Sequence, residues 1–334
     1  MTRLMRRALT ITTLISAARM VARRRRALDF AGRTVVITGG SRGLGLEMAR
    51  LFAAENARLV LLARDKTELD RAAKELQAAS AQVLPIPCDL RNAEAIASTV
   101  NEIRGWSGTI DVLINNAGVI QVGPFETMNA ADFQEALAVH LWGALELTRQ
   151  ILPLMTRNGR IINIASIGGK VAVPHLLPYC VSKFALVGLS DGLRAELSRR
   201  QIRVTTVCPG LMRTGSHIQA RFKGQHKKEF ALFALANGLP LFSTGSRHAA
   251  QRIVEACRYG DASLLITPQA RALHLANALM PNLTADLMSW TARLLPDSHG
   301  ASTEAKTGRQ SRSALAPRFL TRLADAASVR NNES

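Results

Sequence analysis

Seven short apolar runs recur along most of this chain, and stretches with helical spacing separate the first six of them. The runs are too continuous for strands with one exposed face, so we expect buried strands. Strand alternating with helix is typical of a parallel sheet covered on both faces. The pattern predicts the α/β class, with a doubly wound parallel sheet of about seven strands. The predicted strands cover residues 33–38, 58–63, 82–86, 110–115, 159–165, 202–208 and 263–267, and the predicted helices cover 44–55, 67–79, 92–104, 130–156 and 178–200.

The chain is long enough to bury a large core, because it has 334 residues of which 47% are hydrophobic. We expect one domain over residues 31–300. The alternation fails over 211–247, which we interpret as a substrate loop or lid. From about residue 301 the sequence is rich in Ser, Ala and Arg, and we expect a disordered tail over 301–334.

Residues 1–30 form a basic extension with eight Arg and one Asp, in a chain of net charge +18. Its apolar residues recur at steps of three and four, which predicts an amphipathic helix. Its longest uncharged run, residues 8–18, is shorter than the ~20 residues of a membrane-spanning helix. We therefore expect peripheral contact with anionic lipid, supported by the Arg23–Arg26 block. A transit peptide and a disordered solubilising extension remain alternatives.

The four cysteines are scattered, without a CxxC pair or nearby His at metal-ligand spacing. This pattern predicts reduced, buried thiols and a cytoplasmic protein, peripheral at the inner face of a membrane if the extension binds lipid. We expect no metal site. We also expect no nucleic-acid binding, since the basic ends lack interleaved aromatic residues and any known binding module.

A glycine-rich turn follows the first predicted strand, with Gly39, Gly43 and Gly45 in the spacing T-G-x-x-x-G-x-G. Glycines at a strand–helix turn let the backbone approach a pyrophosphate, and the helix N-terminus supplies N–H groups and a positive dipole. The turn therefore predicts a dinucleotide site, although a purely structural turn stays open.

That turn and the later motifs together resemble the short-chain dehydrogenase/reductase family, over about residues 31–214. The resemblance implies a Rossmann-like fold and a nicotinamide-dependent oxidoreductase. The motifs, in the order of the family, are "CDL" at Cys88–Leu90, "NNAG" at Asn115–Gly118, "IASIGG" containing Ser166, "YCVSK" containing Tyr179 and Lys183, and "CPG" at Cys208–Gly210.

Two arginines bear on which cofactor is used. Arg42 lies in the glycine turn and Arg64 at the tip of the second strand, where Arg accommodates the 2′-phosphate of NADP(H). Asp65 follows directly and keeps NAD(H) as an alternative, because a carboxylate there binds a ribose hydroxyl. By turn chemistry and resemblance, the cofactor-binding residues are Gly39, Ser41, Arg42, Gly43, Leu44, Gly45, Arg64, Asp89, Leu90, Asn116, Ala117, Gly118, Tyr179, Lys183, Pro209, Gly210 and Thr214.

Ser166, Tyr179 and Lys183 are the predicted catalytic residues. Tyr179 and Lys183 are four apart in a helix and share a face. An ammonium close to the phenol favours phenolate, so we expect Lys183 to lower the pKa of Tyr179 toward neutrality. Ser166 and Tyr179 would bind the substrate oxygen, while the nicotinamide carries the hydride.

One position departs from the family pattern, since His140 stands where an asparagine is common. A histidine there either maintains a proton relay with added pH sensitivity or only fills space. The departure keeps a second class of function open, a non-catalytic nucleotide sensor or scaffold.

Two apolar stretches bear on the substrate. Residues 230–246 carry no charge, and they either line an apolar pocket, dip into a membrane interface or pack as a lid. Residues 272–285 follow the last predicted strand and are expected to pack beside it. Both favour a hydrophobic secondary alcohol or ketone, lipid-like or steroid-like. The resemblance also leaves a homo-oligomer open.

Overall fold

A computed structural model of the chain describes residues 18, 20–238, 243–298, 302–313, 315 and 318–333. The strands are β1 (Thr34–Thr38), β2 (Arg58–Ala63), β3 (Val83–Pro87), β4 (Ile110–Asn115), β5 (Gln121–Val122), β6 (Met155–Ile164), β7 (Arg203–Cys208), β8 (Leu211–Arg213), β9 (Arg221–Gly224), β10 (Ser243–Gly245), β11 (Ser263–Leu265) and β12 (Ser302–Thr307). The helices are α1 (Gly43–Ala54), α2 (Lys66–Ala78), α3 (Ala93–Ser107), α4 (Ala130–Leu137), α5 (Ala144–Ile151), α6 (Leu177–Glu196), α7 (Ser216–Gln219), α8 (His226–Gly238), α9 (Ser246–Tyr259), α10 (Pro268–Leu279), α11 (Pro281–Ala292), α12 (Gly308–Ser311) and α13 (Arg318–Arg330).

Seven strands form one parallel sheet in the order β11-β7-β6-β4-β1-β2-β3. Strand β1 lies near the centre of the sheet, and β2 and β3 extend the sheet on one side of it. The chain then crosses to the other side of β1, where β4, β6, β7 and β11 follow in order. This confirms the predicted doubly wound sheet. The order reverses between β1 and β4, and such a switch point opens a crevice at the carboxyl ends of the strands.

The sheet is buried on both faces, as the continuous apolar runs predict. Val35 and Ile37 of β1 pack into a core with α1 and α9, whereas Val36 between them packs into a second core with α3 and α5. All three side chains are fully buried. Successive residues of a strand therefore pack against different helices, one layer of helices on each face of the sheet.

The helix predicted over 130–156 is shorter and is interrupted. A π-helical segment, Ala138–Gly143, joins α4 to α5, and α5 ends at Ile151. A 3₁₀ turn carrying Pro153 follows, because proline cannot donate the next helical hydrogen bond. Strand β6 then begins at Met155, earlier than predicted, with an irregular register before residue 160.

The predicted lid region forms a second layer above the sheet. Strand β8 pairs with β10, and β9 pairs with β5 and β12. Phe222 and Phe230 stack edge to face at 5.6 Å and form a small core of their own. The described part of the charge-free run 230–246 is therefore largely α8 packed on this layer.

The disordered tail predicted over 301–334 is wrong for its described residues. Strand β12 pairs antiparallel with β9, and α13 packs on α8 with Ala324 and Ala327 buried. The alanines that pack here are small enough for close helix contact. The prediction of disorder was based on the Ser, Ala and Arg content alone, and composition does not show this contact.

Most of the predicted amphipathic helix, residues 1–17 and 19, lies outside the described residues. Arg23 is bound to the domain by an ion pair to Asp261 at 2.8 Å. Among the residues the structure describes, no helix has the length and apolarity to cross a membrane. All four cysteines are described; they are buried and form no disulfide bond, as predicted.

Candidate active site

The carboxyl ends of the central strands open into one cavity of about 1050 Å³. It lies at the switch point between β1 and β4. All three predicted catalytic residues and every predicted cofactor-binding residue except Gly45 line this cavity. The structure therefore brings together positions from six separate motifs.

The glycine turn joins β1 to α1 in a conformation that depends on glycine. Gly39 and Gly43 have φ of 63° and 56°, in the left-handed region. A Cβ on Gly45 would lie 2.0 Å from the carbonyl oxygen of Gly39. Gly45 thus lets α1 pack directly against the turn. Because Gly45 faces the turn, it does not line the cavity.

The "NNAG" motif braces the same turn. Asn116 Nδ2 donates to the carbonyl oxygens of Thr38 and Gly39, at 3.0 and 3.2 Å. Thr38 Oγ1 accepts the backbone N–H of Asn116 and of Ala117, at 2.8 and 2.9 Å. The amide of Asn116 therefore holds the turn in shape, and Thr38 is a bracing residue that the sequence analysis did not single out.

Arg42, Arg64 and Asp65 lie at the far end of the cavity. Arg42 pairs with Glu68 at 2.8 Å. Asp65 caps α2, since its Oδ1 accepts the Glu68 N–H at 2.9 Å. The exposed Arg64 lines the cavity. Asp65 is the carboxylate on which the NAD(H) alternative depended, and it is engaged in a helix cap.

Asp89, at the end of β3, is held by the residue two positions on. Arg91 binds its carboxylate through Nε and Nη2, the latter at 2.5 Å. This ion pair lowers the pKa of Asp89. Asp89 is therefore ionised at neutral pH and fixed at the wall of the cavity.

Ser166, Tyr179 and Lys183 converge where β6 ends and α6 begins. Lys183 Nζ donates to the carbonyl oxygen of Ile164 at 2.8 Å and lies 5.6 Å from the centroid of the Tyr179 ring. Ser166 Oγ accepts the N–H of Gly168 at 3.0 Å. The Ser166 hydroxyl also interacts with the Tyr179 hydroxyl, which lowers the pKa of Tyr179 slightly.

The lowered tyrosine pKa predicted from the sequence is wrong for this chain by itself. Burial raises the pKa of Tyr179 to about 12, outweighing the Ser166 hydrogen bond. Burial also lowers the pKa of Lys183 to about 7. A lysine that is only partly charged near neutrality, with its ammonium directed at a carbonyl, gives little stabilisation to a phenolate.

His140 lies in the π-helical segment and connects three parts of the site. Its Nε2 accepts the N–H of Val119 at 3.1 Å, which leaves the proton of the neutral ring on Nδ1. Nδ1 lies 2.7 Å from Ser182 Oγ, and that hydroxyl donates to the carbonyl oxygen of Tyr179. Burial and the Lys183 charge lower the pKa of His140 well below its ordinary value. The lowered pKa argues against the added pH sensitivity, because the ring stays neutral; the proton relay itself stays a prediction.

Besides Thr38, three further side chains at this site escaped the sequence analysis. Ser182 lies inside the "YCVSK" motif and could have been found by its helical spacing. Glu68 and Glu333 could not, because only the folded chain brings them to the glycine turn. An apolar wall of the cavity was anticipated only at Phe233, within the uncharged run 230–246; the wall consists of Val119, Ile120, Val173, Leu176, Leu211, Met212, Phe233 and Leu273.

Comparison with known proteins gives one consistent result. The profile described as short chain dehydrogenase matches residues 33–223. Ketoacyl reductase HetN from Nostoc sp. is 38% identical over 193 residues, covering 57% of this chain and 67% of that protein.

Solved structures agree with the sequence match. The chain of L-sorbose reductase from Gluconobacter frateurii, solved with NADPH and L-sorbose, aligns with a TM-score of 0.64 at 27% identity. The alignment covers 72% of this chain and 97% of that chain. A short chain dehydrogenase/reductase from Burkholderia phymatum, solved with NAD, aligns with a TM-score of 0.66 over 75% and 96% of the two chains. At 24% identity the latter likeness shows the fold alone.

Proposed function

Because this chain belongs to the short-chain dehydrogenase/reductase family of oxidoreductases, we propose that it interconverts a ketone and a secondary alcohol with NADP(H). The observation that carries the proposal is the convergence of Ser166, Tyr179 and Lys183 at the floor of a cavity that also contains the glycine turn. Chemistry and nucleotide binding would then occur in one continuous space.

The cavity fits a nicotinamide dinucleotide by its volume and by its donors. Gly43, at the first position of α1, has no side chain to exclude an anion from the helix N-terminus, where the Glu333 carboxylate lies in this structure. Arg64 is available for a 2′-phosphate, and Asp65 is engaged in its cap. L-sorbose reductase, solved with NADPH, supports the same preference.

A nicotinamide nucleotide supplies or accepts the hydride at the carbonyl carbon. Tyr179, whose pKa of about 12 keeps the phenol protonated at neutral pH, would donate its proton to the carbonyl oxygen. Ser166 would hold that oxygen toward the phenol by a second hydrogen bond. Reduction of the ketone uses the protonated phenol and oxidation of the alcohol uses the phenolate; at neutral pH the protonated form is the one present.

The substrate we propose is hydrophobic. The apolar wall lines the same cavity as Tyr179, and burial of apolar surface is the dominant gain for a hydrophobic ligand. The ketoacyl reductase relative points to a carbonyl on an acyl chain, whereas L-sorbose is a polar sugar. The lipid-like or steroid-like class therefore rests on the wall residues of this chain.

Peripheral membrane contact stays part of the proposal. The predicted contact through residues 1–30 lies largely outside the described residues. A second surface is the α10–α11 hairpin, where Leu279 and Leu283 are 69% and 60% exposed. Residues 272–285 thus do not simply pack beside β11 as predicted. This hairpin adjoins the apolar wall through Leu273, so lipid bound there would lie close to the cavity.

The test is the oxidation of NADPH with a panel of hydrophobic ketones, 3-ketoacyl thioesters and sugars. Wild-type chain is expected to turn over a hydrophobic ketone. Tyr179→Phe should lower kcat by about 10²–10⁴-fold while the Kd of NADPH changes less than about threefold.

Tyr259→Phe is the matched control, since Tyr259 is the other tyrosine of the chain and stacks against Arg23 outside the cavity. It should keep full activity. If Tyr179→Phe also keeps it, the catalytic assignment is wrong. If the wild type binds NADPH and reduces none of the panel, the sensor or scaffold function becomes the better account.

A further inference from the structure

Residues 331–333 contact the glycine turn. Asn331 is fully buried, and its carbonyl oxygen accepts the N–H of Gly43 at 2.9 Å. Asn332 Nδ2 donates to the carbonyl oxygens of Ser41 and Glu68, both at 2.9 Å. Segment 331–333 thus takes up a backbone N–H at the N-terminus of α1, the group that an anion would otherwise bind.

Glu333 places a carboxylate in the same position. It is only 5% exposed and lines the cavity, and its Oε2 accepts the N–H of Gly215. A Cβ on Gly43 would lie 2.9 Å from Oε1. The carboxylate is therefore held between the glycine turn and the loop after β8, in the space that a side chain at Gly43 would fill.

The local fold directs Glu333 into this space. Helix α13 ends with the Glu333 N–H bonded to the Ser328 carbonyl and the Asn332 N–H to the Val329 carbonyl, at 2.9 and 3.4 Å. Asn332 has φ of 59°, which asparagine tolerates better than most residues. This pairing is the Schellman motif, which turns the chain sharply at the helix end.

Side chains outside the turn anchor the segment. Arg50 donates to Asn331 Oδ1 at 2.9 Å and to the carbonyl oxygen of Arg330 at 2.8 Å. Asn331 Nδ2 donates to Ser246 Oγ at 3.1 Å. Arg330 pairs with Glu47 at 3.2 Å. These bonds join α13 to α1 and α9, so the docked position is specific.

We propose that residues 331–333 bind the pyrophosphate subsite as an internal competitor, with the Glu333 carboxylate in place of a phosphate, and that the nicotinamide nucleotide must displace them. This inference rests on the proposed function, because it assumes that a dinucleotide uses the glycine turn. One anion at the end of α1 excludes another by charge as well as by volume.

Docking disfavours the ionised form of the Glu333 carboxyl. Burial and the facing Glu68 charge raise the pKa of Glu333 to about 7, against the Gly215 N–H and Arg42, which favour its ionised form. A raised pKa means that docking costs the carboxylate more than it costs the protonated acid. A dinucleotide, with more charge and more contacts, is therefore expected to win the subsite once its concentration is sufficient.

The experiment compares NADPH binding by the full chain, by a chain ending at Arg330, and by Glu333→Ala, using equilibrium titration of NADPH fluorescence. We expect the Kd to fall about tenfold or more in the shortened chain and several-fold in Glu333→Ala. Glu304→Gln is the matched control, because Glu304 is an exposed acid in the same terminal region; its Kd should equal that of the wild type.

A second readout follows the tail directly in the intact chain. Hydrogen exchange of the amides in 322–333 should become faster when NADPH is added to the wild type. An equal Kd in wild-type and shortened chains, weaker binding in the shortened chain, or slower exchange with NADPH would each overturn the proposal. If neither chain binds NADPH or NADH, the proposed function fails instead.

Discussion

At the scale of single residues, burial controls the protonation of the site more than neighbouring charge does. Lys183 and Tyr179 are the clearest case, since their pKa values move to about 7 and about 12. Both shifts oppose the charged form, as desolvation must. Helix α6 therefore presents a neutral phenol beside a lysine that titrates near physiological pH.

This lysine should make stability depend on pH. Between pH 7 and about 9 the unfolded chain keeps Lys183 protonated, whereas the folded chain has released that proton, so stability should rise with pH. The expected rise is about 2 kcal/mol over this window. Urea unfolding of wild type and Lys183→Met at both pH values measures it.

Lys183→Met should lose most of this rise, whereas Lys74→Met, at an exposed position of α2, should keep it. A rise of equal size in both variants would mean that Lys183 is charged in the folded protein at neutral pH.

At the scale of elements, the contact between the glycine turn and the first turn of α1 is the tightest in the site. A Cβ on Gly45 would meet the carbonyl oxygen of Gly39 at 2.0 Å. We expect Gly45→Ala to move α1 away from β1, to cost about 1–3 kcal/mol of stability and to weaken dinucleotide binding. Denaturation and NADPH titration of the same samples test both effects.

Gly192→Ala in α6 is the control, because a Cβ there meets nothing within 4 Å. It should be neutral or stabilising by about 0.5–1 kcal/mol. If Gly45→Ala behaves in the same way, the turn is less tightly packed than the distances indicate.

The elements also mark what sequence reasoning can and cannot reach. The strands around Val36 and Leu61 were predictable because both sheet faces are buried, so apolar runs appear directly in the sequence. Most motif residues were predictable because they follow a strand end, and Tyr179 and Lys183 because their spacing of four places them on one helix face. The π-helical segment at His140, the pKa of Tyr179 and the docking of Glu333 were not. They depend on which distant groups meet, and no local pattern encodes that.

At the scale of the whole molecule, two surfaces are candidates for lipid contact and lie at opposite ends of the edge strand β11. Arg23, at the end of the N-terminal extension, pairs with Asp261 before β11. The α10–α11 pair begins after the carboxyl end of β11. The two contacts involve different residues, so variants can separate them by experiment.

Co-sedimentation with anionic vesicles distinguishes them. If the hairpin binds lipid, Leu283→Glu should reduce the bound fraction several-fold, since it puts a charge on the apolar face. Phe125→Glu, at another exposed apolar side chain, should not. A loss only in a chain that starts at Asp29 would assign contact to the N-terminal extension, and no binding by the wild type would contradict both.

The central claim is that this cavity binds NADP(H) for ketone reduction, and equilibrium fluorescence titration with NADPH and NADH tests it most directly. We expect NADPH to bind about tenfold or more tightly than NADH. Arg64→Ala should remove most of that preference, and Arg71→Ala, an exposed arginine of α2, should retain it. Failure of both nucleotides to bind, in the full chain and in the chain ending at Arg330, would contradict the account.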